Sequence, residues 1–196
     1  MPVDGCNVRP IADIHCDGDL RLKAAMPVYQ AAILKGIELS GPEVFQAMPW
    51  LVIDEPLPDQ VLEYLRDVGN FGAGGLSYHW AIFCREQFAG LIALDYTPNL
   101  TLGHWNLGYW ILAPMQRRGI ASRAIDSVLN WIGRGGLTSI EMHVNPENIA
   151  GVQTAESAAR RWNGHQMEDQ VEVEVSGRLV AHNCWLIPRL PLEDPE

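Results

Sequence analysis

Hydrophobic and polar residues alternate along several short segments of the chain. In the first segment, Leu20, Leu22 and Ala24 alternate with Arg21 and Lys23, which is the pattern of a strand with one buried face. The other segments that alternation or a short apolar run marks as strands are 76–84, 88–96, about 101–112, 139–144, 170–175 and 179–187. The pattern therefore predicts a sheet of six or seven strands.

Four other segments repeat apolar residues at helical spacing. They predict helices over 26–40, from about 59 onward, over 120–132 and over 149–162. The dipeptide Gly41-Pro42 should end the first helix. Asp59, which follows Pro58, is predicted as the N-cap of the second helix.

The turns between these elements predict the topology. Polar turns at 85–87 and 97–99 separate three strands, which should pair as an antiparallel meander. The strand–helix–strand unit over 104–145 predicts a parallel, right-handed crossover. Ser176-Gly177 predicts a hairpin between the last two strands. The expected fold is mixed α/β, with a largely antiparallel six- or seven-stranded sheet flanked by about four helices.

Length and composition predict one domain. The chain has 196 residues, of which 47% are hydrophobic and 19% are charged, so it can bury a sizeable core. We expect a loose and dispensable leader over 1–18, a single domain over 19–190 and an acidic tail over 191–196. Since the sequence shows neither a secretory signal nor an apolar run long enough to cross a bilayer, we expect a cytoplasmic protein without a membrane partner.

Charge and cysteine usage narrow the function classes. Lys and Arg number 14 against 24 Asp and Glu, a formal net charge of −10. This balance argues against a nucleic-acid partner, which needs a basic stripe, and is compatible with an amine substrate. The four cysteines lie far apart, which predicts free thiols. Cys6, His15 and Cys16 lack a fourth ligand at zinc spacing, so no metal site is expected.

The segment with the clearest chemical signal is 116–121, Gln-Arg-Arg-Gly-Ile-Ala, between a predicted strand and a predicted helix. Backbone N–H groups at a helix N-terminus bind phosphate or pyrophosphate, and Gly119 permits an unusual backbone dihedral. Residues 116–134 contain four arginines and one aspartate, a local charge of +3. An ordinary loop with two solvated arginines is the alternative. The motifs of nucleotide hydrolases and dinucleotide-binding folds are absent.

This segment resembles the acetyl-coenzyme A loop of the GNAT N-acetyltransferases, whose pattern is (Gln/Arg)-x-x-Gly-x-(Gly/Ala). Residues 107–110, Leu-Gly-Tyr-Trp, are similar to the "IGYW" strand of the RimJ/RimL-type protein N-acetyltransferases, and residues 148–156 are similar to their N-x-A-S…A-E helix. Further similarity at 48–50 and 81–90 extends the resemblance over about 20–188.

The chain departs from the RimJ/RimL pattern near the chemistry. Gly151 stands where Ser is usual, Asn106 where many members have Glu, and Trp185 where Tyr is common. At the end of the same helix, Ala159-Arg160 replaces Gly-Phe. These departures leave the proton-transfer residues open, whereas the cofactor site is mostly backbone.

The resemblance implies a GNAT fold, in which two central strands splay apart and acetyl-coenzyme A enters the gap as cosubstrate. It assigns pantetheine contacts to the strand, pyrophosphate contacts to the loop and one contact to the following helix. The residues so assigned are Trp110, Ile111, Leu112, Gln116, Arg117, Arg118, Gly119, Ile120, Ala121, Ser122 and Asn148. A backbone N–H near Trp110 and Ile111 would polarise the acetyl carbonyl, and the amine would attack directly, without a covalent enzyme intermediate.

The amine must be neutral to attack. An α-amine with a pKa of about 7.8 is roughly a tenth neutral at pH 7, whereas deprotonating a lysine amine costs about 4.6 kcal/mol. With no Glu at position 106, this difference favours an α-amine.

The candidate bases are Glu174, Glu172, His104 and His143. The two glutamates alternate with valines, so a solvated strand face explains them equally well, and a strand histidine can simply be packed. Trp50 and Trp185 are candidates for the acceptor pocket, with burial in the core as the alternative.

These observations lead us to expect an acetyl-coenzyme A-dependent enzyme that acetylates a primary amine, foremost a protein N-terminal α-amine. A small amine, such as an aminoacyl conjugate, an antibiotic or a polyamine, is the second hypothesis. A coenzyme A-binding module without turnover is the third. The sequence leaves the acceptor open, as well as the choice between a monomer and a homodimer.

Overall fold

Nine strands and five α-helices form within the residues that this computed structural model describes, namely 11–16, 18–48, 50–73, 75–96, 105–133, 139–175 and 177–188. The strands are β1 (Ile14–His15), β2 (Leu20–Ala24), β3 (Ser77–Cys84), β4 (Gln87–Asp95), β5 (Trp105–Ile111), β6 (Ile140–Val144), β7 (His165–Gln166), β8 (Val171–Val175) and β9 (Arg178–Ile187). The helices are α1 (Gln30–Ser40), α2 (Val44–Ala47), α3 (Leu57–Ala73), α4 (Ile120–Gly133) and α5 (Ile149–Arg161).

The strands are arranged in the order β1-β2-β3-β4-β5-β6-β9-β7, and β8 also pairs with β9. Every pair of neighbours is antiparallel except β5 and β6, which are parallel and joined through α4. The predicted mixed, largely antiparallel sheet is therefore confirmed, as are the meander, the parallel crossover and the final hairpin.

Three short elements were not predicted: the two-residue strands β1 and β7 and the single-turn helix α2. Elements of two to four residues are too short for a hydrophobic period to show. The predicted N-cap at Asp59 is wrong, because α3 begins at Leu57 and Asp59 lies in its first turn. The end of α1 agrees with the prediction, since Gly41 follows it with a φ of 66°.

Side-chain alternation along β5 divides the core into two layers. Leu107 and Ile111 pack against α4 and α5, on what we call the α4 face of the sheet. Trp110 and Leu112 pack with residues of α1 and α3 on the opposite side, the α1 face. On β6, Ile140 belongs to the α4-face cluster. Helices therefore cover both sides of the central strands. Because successive side chains of a strand point to opposite faces, neighbouring residues of β5 and β6 pack in different layers of the core.

The end of the predicted loose leader is ordered. Ile14 of β1 pairs with Leu22 of β2, the indole Nε1 of Trp80 donates to the carbonyl oxygen of Ala12 at 2.9 Å, and the backbone N–H of Ala24 donates to Asp13. The expectation of a loose segment is therefore wrong for residues 12–15. These contacts form because β2 would otherwise be an edge strand with unpaired backbone groups.

Two expectations from composition can be compared with the described residues. Cys84 and Cys184 are free thiols, as the cysteine spacing predicted, while Cys6 lies outside the described residues. None of the described helices has the length and apolar character needed to cross a bilayer.

Candidate active site

A gap opens between the two central strands. Parallel strands β5 and β6 are paired only at Trp105 with Ile140 and at Asn106 with Glu141. Both strands continue beyond this point, β5 to Ile111 and β6 to Val144. The strands therefore diverge after their first pairs and leave backbone groups unpaired along the gap.

The backbone of β5 presents hydrogen-bonding groups to this gap. The N–H of Leu112 donates to the carbonyl oxygen of Ala89 on β4 at 2.9 Å. Because alternate residues of a strand point their backbone groups to opposite neighbours, those of Tyr109 and Ile111 point away from β4. In agreement, the carbonyl oxygen of Ile111 accepts a hydrogen bond from Nε2 of Gln116. The gap is thus lined by polar backbone that an extended ligand can pair with.

The loop that follows β5 forms a concave arrangement of backbone N–H groups. Arg117 and Gly119 both adopt the left-handed conformation, with φ values of 59° and 71°. The first helical hydrogen bond of α4 runs from the N–H of Arg123 to the carbonyl oxygen of Gly119. The N–H groups of the first turn of α4 therefore lack helical partners, and successive N–H groups around left-handed residues make an anion-binding nest. The predicted unusual dihedral at Gly119 is confirmed.

The positive charges in and near this loop form two groups. Arg123 donates to Asp19 at 3.1 Å, and Arg85 donates to the same carboxylate at 2.9 Å. These hydrogen bonds, first that of Arg85 and then that of Arg123, lower the pKa of Asp19 to about 2. Arg117 and Arg118 are exposed at the loop itself. They are the cations that can meet an anionic ligand at the nest.

The start of α5 lies beside the open end of β6. Oδ1 of Asn148 caps this helix by accepting a hydrogen bond from the N–H of Gly151 at 2.9 Å. A Cβ atom on Gly151 would lie 2.7 Å from Nδ2 of Asn148 and 2.9 Å from Cγ1 of Val144. Glycine at this position therefore permits the observed Asn148 cap.

A buried carboxylate lies where β5 and β6 part. The side chain of Glu141 is 1% exposed, and its Oε2 atom lies 2.8 Å from Nε2 of His143 and 3.7 Å from the thiol of Cys184. Burial, together with this carboxylate, raises the pKa of Cys184 to about 12. Asn106 is the direct partner of Glu141 on the neighbouring strand β5. Its Oδ1 atom is one of three buried side-chain polar atoms without a hydrogen-bond partner among the described residues. An unpartnered buried amide oxygen is costly, which marks this position as a candidate ligand contact.

The two tryptophans predicted for an acceptor pocket occupy different environments. Trp185 is 2% exposed within the α4-face core, which agrees with the alternative of burial in the core. Trp50 is half-buried on the α1 face and stacks on Tyr64, with ring centroids 4.2 Å apart. Tyr64 is held by His79, which also binds Asp95 at 2.7 Å. The hydrogen bond to His79 fixes the Tyr64 ring, and Trp50 stacks on that fixed ring.

The predicted bases do not lie together. Glu172 and Glu174 are exposed on β8, which pairs with the first half of β9, whereas β6 pairs with residues 183–187 of β9. His104 lies outside the described residues. His143 is the candidate that the structure places beside the gap, two residues beyond the last β5–β6 pair.

Sequence reasoning missed Glu141. Its charge within the apolar strand 139–144 was a signal, since an acidic residue on a buried strand needs a partner. Glu141 and His143 are separated by one residue and therefore share a strand face. That spacing could have pointed to the dyad.

Comparison with known protein families agrees with this geometry. A family model described as an acetyltransferase (GNAT) domain matches residues 26–159. A search of curated protein sequences finds no match to the chain.

Several solved structures share the fold. An acetyl transferase from Salmonella typhimurium that modifies the N-terminal serine of 50S ribosomal subunit protein L7/L12 has a TM-score of 0.74 at 17% identity, covering 90% of this chain and 99% of its own. RimL, a ribosomal L7/L12 alpha-N-protein acetyltransferase in complex with coenzyme A, has a TM-score of 0.75 at 17% identity, covering 90% and 98%. The microcin C7 self-immunity acetyltransferase MccE, in complex with acetyl-CoA and AMP, has a TM-score of 0.68 at 15% identity, covering 88% and 93%. At these identities the likeness establishes a shared fold.

Proposed function

The chain belongs to the GNAT acetyltransferase family, and we propose that it transfers the acetyl group of acetyl-coenzyme A to the α-amine of a protein N-terminus. The observation that carries the proposal is the gap between β5 and β6, which leads to an anion-binding nest at the N-terminus of α4. The similarity to a coenzyme A complex and to an N-terminal serine acetyltransferase supports it.

The residues around the gap fit acetyl-coenzyme A. The loop from Gln116 to Ser122, with its left-handed Arg117 and Gly119, suits the pyrophosphate. The backbone groups of Tyr109 and Ile111, which face away from β4, suit the amides of the pantetheine arm. The backbone groups of Trp110 and Leu112 point towards β4, and their side chains pack in the α1-face core. These two residues therefore form part of the wall of the gap. Asn148 lies beside the open end of β6, where its exposed amide can reach the ligand.

The polar groups of the protein favour an α-amine as the acceptor. Asn106 can accept a hydrogen bond from an attacking amine but cannot take its proton. An α-amine, about a tenth of which is neutral at pH 7, makes a smaller demand on a base than a lysine amine does. The exposed glutamates of β8 and the net charge of −10 suit a cationic N-terminus arriving from solution.

When bound, acetyl-coenzyme A supplies an activated thioester carbonyl. The N–H of Ile111 or Tyr109 donates to the carbonyl oxygen as negative charge develops there. The buried oxygen of Asn106 accepts an N–H of the acceptor and so directs the nitrogen lone pair at the carbonyl carbon. The stacked rings of Trp50 and Tyr64 exclude water from the acceptor side. Direct attack needs no nucleophile from the protein, and the high pKa of Cys184 fits that mechanism.

A second candidate function is acetylation of a small amine. It is supported by the similarity to MccE, which was solved with acetyl-CoA and AMP. The two functions differ in the acceptor alone, because the cofactor site is the same.

The experiment that tests the proposal follows thiol release from acetyl-coenzyme A over a panel of acceptors: peptides with free N-termini, polyamines and aminoacyl nucleotides. The same peptides with acetylated N-termini are the matched control. We expect the highest kcat/KM with a free peptide and no release with its blocked form. A preference for an aminoacyl nucleotide would favour the second function. If calorimetry shows that coenzyme A binds but no acceptor causes thiol release, the protein would be a coenzyme A-binding module without turnover.

A further inference from the structure

The pair Glu141–His143 occupies a defined position relative to the gap. Both side chains lie on β6, one residue apart, and therefore on the same face of the sheet. Ile140 and Met142 alternate with them and pack in the α4-face core, so Glu141 and His143 project from the α1 face. Glu141 is the last residue of β6 that pairs with β5, and His143 stands two positions further, where the strands have separated.

The hydrogen bond within the pair determines which ring nitrogen is available. Nε2 of His143 lies 2.8 Å from Oε2 of Glu141. A carboxylate can only accept, so Nε2 carries the hydrogen and the neutral ring presents its lone pair on Nδ1. No described residue hydrogen-bonds to Nδ1, and Nδ1 is not among the buried atoms that lack a partner. The side chain of His143 is 6% exposed, and Nδ1 is the ring nitrogen that Glu141 does not engage.

A second donor supports the accepting role of Glu141. Glu141 is 1% exposed, and the thiol of Cys184, directly opposite His143 on β9, donates to the same oxygen. Among the described residues, Glu141 contacts the imidazole directly, and Cys184 contacts the same carboxylate oxygen. Further along the α1 face, across Asn106 of β5, lie Asp95 and His79, which bind each other.

From this arrangement we propose that His143 is the catalytic base that takes the proton from the acceptor amine, and that Glu141 is the positioning residue that fixes its ring. The inference rests on the proposed function. Nδ1 removes one proton from the ammonium, and the neutral nitrogen then attacks the acetyl carbonyl carbon. The C–N bond forms as the C–S bond breaks, the second nitrogen proton passes to the thiolate sulfur, and the imidazolium returns its proton to solvent.

The pH dependence of variants tests this base. With the best acceptor of the panel, we expect His143→Gln to lower kcat about 10²-fold near pH 6 and only a few-fold near pH 9, because a neutral acceptor needs no base. The KM for acetyl-coenzyme A should not change. Glu141→Gln should cost about tenfold with the same pH trend, and Glu141→Asp should recover part of the loss, as expected for a residue that acts through the ring. His165→Gln, at an exposed histidine of β7, is the matched control and should match wild type throughout.

Folding controls and two alternative outcomes make the test decisive. Thermal unfolding and calorimetric binding of coenzyme A show whether the variants are folded, and Glu141→Gln carries the test if His143→Gln cannot be purified. A wild-type kcat near pH 6 in either variant, or an equal loss at all pH values, would overturn the proposal. So would a larger pH-dependent loss in Glu174→Gln, which would move the base to β8.

A metal at the cluster is the competing explanation, because Glu141, His143 and Cys184 offer ligand atoms within 4.8 Å of one another. If the purified wild-type protein contains stoichiometric zinc and His143→Gln does not, the cluster would be a metal site and His143 would not be the base. Absence of thiol release by the wild type on every acceptor would instead contradict the proposed function itself.

Discussion

Asn106 and Glu141 form the last residue pair that joins β5 to β6, and the strands separate immediately beyond it. One member of the pair has a buried oxygen without a partner, and the other is a buried carboxylate bound to His143. The point where the sheet opens is thus also where its unusual polar groups gather. Buried polar groups that serve packing alone are normally satisfied, so this coincidence favours a chemical role.

The first prediction concerns Asn106. Replacing it with Leu removes the unpartnered oxygen, so the free energy of unfolding should rise by about 1 kcal/mol. At the same time kcat/KM for the acceptor should fall about tenfold, since the amine loses its hydrogen-bond acceptor. Urea denaturation and thiol-release kinetics measure the two effects. A variant that is less stable but fully active would show that Asn106 serves the fold.

The second prediction concerns the nest. Gly119→Val should abolish binding of acetyl-coenzyme A while the protein stays folded, because valine disfavours the φ of 71° that aims the backbone N–H groups. Arg118→Ala should weaken binding less, since backbone donors provide most of the site. Gly177→Val, at a hairpin glycine with a φ of 75°, is the control for strain alone. Calorimetry showing wild-type affinity in Gly119→Val would refute the assignment of the loop.

The third prediction concerns Cys184. Its pKa of about 12 and its burial predict that iodoacetamide will not alkylate it at neutral pH in the folded protein. Mass spectrometry should find the modification only after denaturation. No acetyl group should be trapped on Cys184 or on Cys84, whose pKa is also raised by burial. An acetylated cysteine isolated during turnover would rule out direct attack.

The fourth prediction concerns Asp19, which joins Arg85 to Arg123 of α4. Its folded-state pKa is lowered from 3.8 to about 2, so its stabilising effect is present above the ordinary value and disappears as the pH falls through about 2. Asp19→Asn should therefore melt below wild type at neutral pH, with the difference closing between about pH 4 and pH 2. Melting curves over that range provide the measurement. A difference independent of pH would mean that the aspartate charge is not involved.

The fifth prediction concerns the leader. Because residues 12–15 contact β2 and Trp80, deletion of residues 1–17 should lower Tm by several degrees, whereas the sequence suggested no change. Deletion of residues 1–10 is the matched comparison, since it leaves these contacts in place. Equal melting temperatures for both truncations would support the expectation that the leader is dispensable.

Local sequence determined the long elements and the conformation of the loop at Gly119. Strands β2 to β6 and helices α4 and α5 have hydrophobic periods that repeat over five or more residues, and each lies within a few residues of its predicted bounds. The loop at Gly119 was predictable because its requirement is local: a glycine, neighbouring cations and a helix N-terminus within one short segment. Motifs in the same segments that resemble those of the GNAT family indicated acetyl transfer from acetyl-coenzyme A.

Tertiary structure alone decided the pairing of residues distant in sequence. Asn106 lies 35 positions before Glu141, and whether they meet depends on the register between β5 and β6, which the packing of α4 fixes. The same holds for Cys184 beside His143, for the burial of Trp185 and for the pairing of β1 with β2. A hydrophobic period specifies which face of a strand is buried, but it contains no information about the neighbour on that face. A two-residue shift in register would keep every residue of β6 on its present face and still separate Asn106 from Glu141.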